Sequence, residues 1–152
     1  MLKVIVKYPK KEEERQIIRM NNSGEFPTVN PVIKPEDIVR ARSVVRDVYM
    51  DEKIERYIVD IVYATRTPDD YGLGKIKDLI SFGASPRASI SLSMASKAYA
   101  FIKRRGYVIP EDVRAVCNEV LRHRIGLTYE AEAENVTTEQ IIAEVINAVQ
   151  VP

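Results

Sequence analysis

The chain holds a single cysteine, a single histidine and no tryptophan in 152 residues. One cysteine, Cys117, excludes an internal disulfide and any cysteine-rich zinc site. With His123 as the lone histidine, a metal site would have to be built mainly from carboxylates. No Ser-His-Asp or Cys-His arrangement has a supporting pattern. Neither sign of charge dominates, with 23 Lys and Arg against 22 Asp and Glu and a net charge of +1. That balance argues against a nucleic-acid partner, which selects a strongly basic face. Apolar runs are only a few residues long, so no membrane span is expected. Residues 1–8 have the pattern of a strand and not of a secretory leader, which makes the cytoplasm the expected compartment. What is present is ordinary for a globular chain: 45% hydrophobic and 30% charged residues, enough to bury a core.

The run Leu2 to Tyr8 is β-rich and is expected to be a strand. Pro9 with Glu12, Glu13 and Glu14 then predicts a helix, since proline suits the first turn and carboxylates complement its positive end. A lone strand has no partner for its backbone, so this chain is expected to be part of something larger or to pair with another chain. Residues 21–35 carry three prolines, a glycine and three asparagines and read as a linker. The expected division is therefore 1–35 and 36–152.

After residue 35 the periodicity is helical throughout. Ile38, Ala41, Val44, Val45 and Val48 share one face. Asp51 caps a helix whose inner stripe is Ile54, Tyr57, Ile58, Ile61 and Val62, and Pro68 ends it. Residues 69–83 are irregular, with no strand expected. Ser85 is placed as a cap and Pro86 as the first residue of a long helix with Ala88, Leu92, Ala95, Tyr99 and Ile102 inward, ending at Gly106. Pro110 opens the next helix, with Val113, Val116, Cys117, Val120 and Leu121 in register. Thr137 and Gln140 form a capping box for the last. The fold class expected is mainly α, a helical bundle behind one strand and one helix.

Most candidate motifs fail on detail. The segment Gly72 to Asp78, "GLGKIKD", superficially suggests a phosphate loop. However, Ile76 follows Lys75 where Ser or Thr must hold Mg²⁺, Asp69 stands where the first glycine belongs, and no strand precedes it. Three glutamates in "YEAEAE", Tyr129 to Glu134, make a solvated surface more readily than a cation site. His123, between Arg122 and Arg124 near a helix end, suits a structural role, and Cys117 suits the core.

Arg87 is harder to place. A cation in the first turn of a helix faces the positive end of the dipole and loses up to about 1 kcal/mol. A surface salt bridge and an anion contact explain it equally well in isolation. Ser85, Pro86 and Arg87 together put backbone N–H groups and a guanidinium at one helix end, which suits phosphate. Gly83 and Ala84 are expected to leave room for a ligand.

Several elements in order carry a resemblance: G-A-S-P-R-A (Gly83 to Ala88), P-E-D-V (Pro110 to Val113), V-L-R-H-R-I (Val120 to Ile125) and Y-E-A-E-A-E, with "RYIVDIVYATR" (Arg56 to Arg66) and "YPKKEEE" (Tyr8 to Glu14) upstream. Together they resemble the C-terminal lid of the MoxR family of AAA+ ATPases, over nearly the whole chain. One departure is Ile109, where the family's P-E-D-V run is preceded by a capping Thr or Ser.

The resemblance implies that Arg87 is the sensor 2 residue, reaching the γ-phosphate of ATP, with Ser85 and Pro86 shaping the helix start. It implies that Leu2 to Tyr8 is the last strand of an α/β ATPase core whose Walker A, Walker B, sensor 1 and arginine finger precede Met1. The chain would then be a piece starting at an internal methionine or a truncated gene product. ATP and Mg²⁺ would bind the longer protein and not this piece, which should not hydrolyse ATP alone. Expected partners are the missing core, neighbouring subunits of a ring (a hexamer is expected), and client proteins, with von Willebrand A-domain proteins among the candidates; no nucleic acid and no membrane are expected. The other reading is a free-standing helical interaction module without nucleotide. A chelatase-type lid fits the "YEAEAE" and "SPRA" details less well.

Overall fold

The computed structural model describes residues 1–24 and 26–152. Helix α1 spans Lys11–Ser23, α2 Pro35–Asp47 and α3 Glu52–Ala64; a 3₁₀ turn covers Pro68–Tyr71. Then come α4 Gly74–Lys77, strand β1 Ile80–Phe82, α5 Pro86–Ile102 and α6 Pro110–Leu121. Strand β2 Gly126–Leu127, α7 Tyr129–Ala133 and α8 Thr138–Ala148 complete the chain. The molecule is mainly helical, as expected.

The core is the junction of α3, α5, α6 and α8. Their inward stripes interlock: Tyr57, Ile61 and Val62 from α3, Leu92 from α5, Val113, Cys117, Val120 and Leu121 from α6, Ile141, Ile142 and Val145 from α8, all at most 2% exposed. Each is a stripe that helical periodicity picks out. Fully burying one such side chain is worth about 1.5–3 kcal/mol. Two faces differ from expectation. Ile102 is 72% exposed, because it falls on the outer side of the last turn of α5. Helix α2 buries none of its residues, and Ile38 and Val44 stay about half exposed.

The run Leu2 to Tyr8 forms no strand among the described residues. No neighbouring strand meets it; instead the Lys3 N–H donates to the Glu119 carbonyl at 2.7 Å. Conversely, a two-stranded antiparallel sheet forms where none was expected, pairing Ile80 with Leu127 and Phe82 with Gly126. Strands this short are set by tertiary pairing and not by composition.

Helix ends follow recognisable chemistry. Asp51 caps α3 by accepting from the Lys53 N–H at 2.9 Å, and Thr137 caps α8 through the Gln140 N–H. Helix α1 runs three residues into the expected linker before Gly24 stops it at φ 66°, the left-handed turn glycine enters without penalty. Helix α5 does not end at Gly106: Lys103 is its C-cap and Arg104 takes the left-handed conformation, φ 60°. Ile109 offers α6 no side-chain cap, yet the Asp112 carboxylate accepts from the Ile109 N–H at 3.0 Å. The residue three places into the helix thus supplies half of what a capping box would.

Candidate functional site

The site is the entry to α5. The strap Gly83–Ala84 runs hard against the end of α3. A Cβ at Gly83 would lie 2.3 Å from the Thr65 carbonyl oxygen. The Ala84 N–H donates to Thr65 Oγ1 at 2.9 Å, and that hydroxyl donates onward to the Val62 carbonyl at 2.7 Å. The small residues therefore make room for the protein's own backbone and not for a ligand, which corrects the reading of Gly83 and Ala84. Their role is to fix where α5 begins.

Ser85 holds the N-cap position with φ −79° and ψ 169°, and Pro86 follows at the first helical position. The Ser85 hydroxyl makes no capping bond; the cap is the backbone, with the Ala88 N–H donating to the Ser85 carbonyl at 2.8 Å. Pro86 has no N–H and that of Ala88 is spent. The capacity to hold an anion at this end rests on the Arg87 guanidinium and the helix dipole more than on free backbone donors.

Arg87 is exposed, and no described residue hydrogen-bonds or ion-pairs with it. The surface salt bridge, one of the two explanations left open by the sequence, has no partner among the described residues. Arg105 pairs with Asp112, Arg122 with Glu119 and Glu139, and Arg124 bonds Ser91; Arg42 and Arg46, like Arg87, have no ion-pair partner among the described residues. One and two turns along the same face, Ile90 and Met94 are 62% and 51% exposed. Beside them a pocket of about 300 Å³ opens between α3 and α5, walled by Met50, Val59, Ser89 and Ile90 with Glu55 at its edge.

A second cleft, about 940 Å³, lies along the α3 end, the 3₁₀ turn and β1. It is lined by Thr67, Asp69, Asp78, Phe82 and Glu130 among others, and Lys77 bridges to Asp69 inside it. The Phe82 ring covers Gly126 so closely that a Cβ there would meet it at 2.2 Å. Sequence reasoning missed this cleft because it dismissed residues 69–83 as irregular; the Phe82–Gly126 pairing has no local signal. Thr65 was missed as well, since its hydroxyl acts on a backbone 19 residues away.

The "YEAEAE" carboxylates do not converge. They lie on α7 and just after it, where two-residue spacing turns each to a different face, and Glu130, Glu132 and Glu134 are all exposed. Among the described residues no His, Cys, Asp or Glu cluster fit for a metal ion occurs, and no helix is long and apolar enough to cross a membrane. Burial pushes the Cys117 thiol up to about 12, which removes it as a nucleophile. His123 sits below its ordinary value. Loss of solvation comes first and the Arg124 charge next, although its side chain is exposed; the neighbouring cations are the firmer cause.

Residues 75–145 match the family model of the AAA lid domain. The whole chain is 37% identical to the chaperone MoxR1 of Mycobacterium tuberculosis, covering 40% of that protein. It is 35% identical to the uncharacterised protein YeaC of Bacillus subtilis, covering 45%. A solved structure, that of a candidate ATPase from Cytophaga hutchinsonii, superposes with TM-score 0.92 at 38% identity, over all of this chain and 46% of the other. The chain thus spans less than half the length of the relatives it matches.

Proposed function

This chain is a MoxR-type AAA+ segment that carries the lid domain, and from that premise we propose that its task is to couple the state of bound ATP to the position of the lid. The observation that carries the reading is Arg87: an exposed arginine in the first turn of α5, on the side of the dipole that repels it, with no partner among the described residues. A polyphosphate supplies what the fold does not. The guanidinium is a fixed charge and its planar fork grips phosphate oxygens in pairs, which a lysine cannot do.

The rest of the site is a mount. Thr65 and Gly83 lock the start of α5 to α3, and Ala88 and Leu92 anchor its first turns in the core at 0% exposure. The Arg87 backbone therefore cannot move toward a γ-phosphate without carrying the lid with it. Charge placed there stabilises the phosphates as bonds break, and loss of the γ-phosphate releases the lid.

ATP and Mg²⁺ would be held by a preceding α/β portion in a longer protein, with residues 1–35 as its last part and 36–152 as the lid. Among the described residues no acidic cluster suits a metal ion, and ATP turnover is expected to need that longer protein. A cytoplasmic ring, a hexamer in the simplest case, that remodels or matures client proteins, von Willebrand A-domain proteins among them, completes the reading. The MoxR1 relative is named a chaperone, which supports the client role. The test is Arg87→Ala in the full-length protein. ATP turnover should fall while helicity and melting stay unchanged, and undiminished turnover would remove Arg87 from the mechanism. The interaction-module reading draws on one observation, the exposed apolar residues before α2. It predicts partner binding indifferent to both nucleotide and Arg87.

A further inference from the structure

At the end of α3 a buried hydroxyl works in two directions. Thr65 is the C-cap of that helix and is 1% exposed. Its hydroxyl donates to the Val62 carbonyl at 2.7 Å and accepts from the Ala84 N–H at 2.9 Å, 19 residues further along the chain. The first bond serves a carbonyl of the last turn of α3, where helical partners run out. The second serves the N–H of a residue at 0% exposure, out of reach of water. A buried N–H without an acceptor is costly. Only a group that both donates and accepts fills the two roles, and a hydroxyl does so where the similarly shaped valine offers neither.

The strap itself has no slack. A Cβ at Gly83 would lie 2.3 Å from the Thr65 carbonyl oxygen and 2.7 Å from the Arg66 Cγ. The Arg66 guanidinium is in turn held over the Tyr63 ring, 4.3 Å from its centroid. Four residues after Ala84, Ala88 is again at 0% exposure. Between these two buried points Ser85, Pro86 and Arg87 are exposed, and Pro86 has its φ fixed. The backbone at Arg87 is therefore set from one side by core packing and from the other by one hydroxyl.

We infer that Thr65 is a positioning residue for Arg87. This rests on the reading of Arg87 as the phosphate contact; Thr65 itself meets no phosphate. Its part is to give the guanidinium a single starting point. Without the hydroxyl, the Ala84 N–H must turn toward water, and the first turn of α5 loosens with it, since helix ends open most easily. A charge-stabilising group displaced by about 1 Å costs on the order of 100-fold in rate. Here Ala88 still holds one side, so a loss of about tenfold is expected.

The test is steady-state ATP hydrolysis by the full-length protein carrying Thr65→Ser, Thr65→Cys or Thr65→Val, each with and without Arg87→Ala. Val145→Ala, a core change in α8, controls for lost stability. The kcat of Thr65→Val should fall about tenfold, with KM for ATP changed less than about twofold, the pattern of an interaction made in the transition state. Thr65→Ser should keep turnover within about twofold. Thr65→Cys, whose thiol is a weak partner for both bonds, should fall between them and serves in place of Thr65→Val if that variant does not fold. In the Arg87→Ala background all three should cost less than about twofold, because residues acting as one unit do not add. Unchanged turnover in Thr65→Val and Thr65→Cys, a loss matched by Val145→Ala, or a loss that persists in full without Arg87 would each overturn the inference. If Arg87→Ala alone lowers turnover while these outcomes hold, the proposed function stands without it; if Arg87→Ala changes nothing, both fall.

Discussion

Arg87 shows how an unfavourable local choice can point to function. Sequence alone left it between a salt bridge and an anion contact; the structure gives it no partner among the described residues and fixes its helix from behind. Asp112 shows the opposite case. It is 1% exposed, holds Arg105 through both carboxylate oxygens and accepts from the Ile109 N–H. Asp112→Asn should lower Tm by more than about 5 °C, since an amide NH2 then faces donors and the Arg105 guanidinium loses its counter-charge. Lys77→Ala, which opens an exposed pair with Asp69, should shift Tm by no more than about 2 °C. Cys117 makes a third residue-scale test. Burial raises its thiol from 9.0 to about 12. A raised acid contributes stability in full below the unfolded value and loses it as pH climbs through the folded one. Stability should therefore decline between about pH 9 and 12, more steeply than in Cys117→Ala, and a thiol reagent at pH 8 should label the native chain only as fast as it unfolds.

At the scale of elements, the strap into α5 sets the geometry of the site. Gly83→Ala would push a methyl into the Thr65 carbonyl, 2.3 Å away. Backbone must move, at a cost of about 1–3 kcal/mol, and α5 should shift relative to α3. Gly126→Ala meets the Phe82 ring at a similar distance, but that side chain is 63% exposed and can swing out, so the change should cost under about 1 kcal/mol. Chemical denaturation of the two variants side by side distinguishes a backbone clash from a side-chain one. The long helices were legible because each writes a 3.6-residue stripe over three or more turns. Strands β1 and β2 were not, because residues 80–82 and 126–127 acquire strand geometry only from each other. Leu2 to Tyr8 has strand composition without a neighbour, and composition cannot substitute for a ladder partner. Ser85 was read as the cap and holds that position, but its hydroxyl makes no capping bond. Proline and serine mark where a helix starts, but which atom satisfies the first N–H depends on the turn's geometry.

For the whole molecule, the described residues between 1 and 36, all exposed, and the buried junction of α3, α5, α6 and α8 have different physics. The junction gains its stability within the chain; the apolar side chains of the N-terminal stretch, exposed here, gain none there. The AAA lid assignment covers 75–145, the part with the dense core, and it was reachable from the sequence only through the ordered set of short motifs. No single motif specified it. What composition and periodicity could not supply was the direction in which Arg87 faces and what stands near it.

The most direct test of the account is steady-state ATP hydrolysis by the full-length protein with Arg87→Ala and Arg87→Lys beside the unaltered chain, each checked for native helicity. The account predicts a loss of turnover of about 10-fold or more in Arg87→Ala, with at most partial recovery in Arg87→Lys because a point charge replaces a planar fork. Turnover in Arg87→Ala equal to that of the unaltered protein would contradict it.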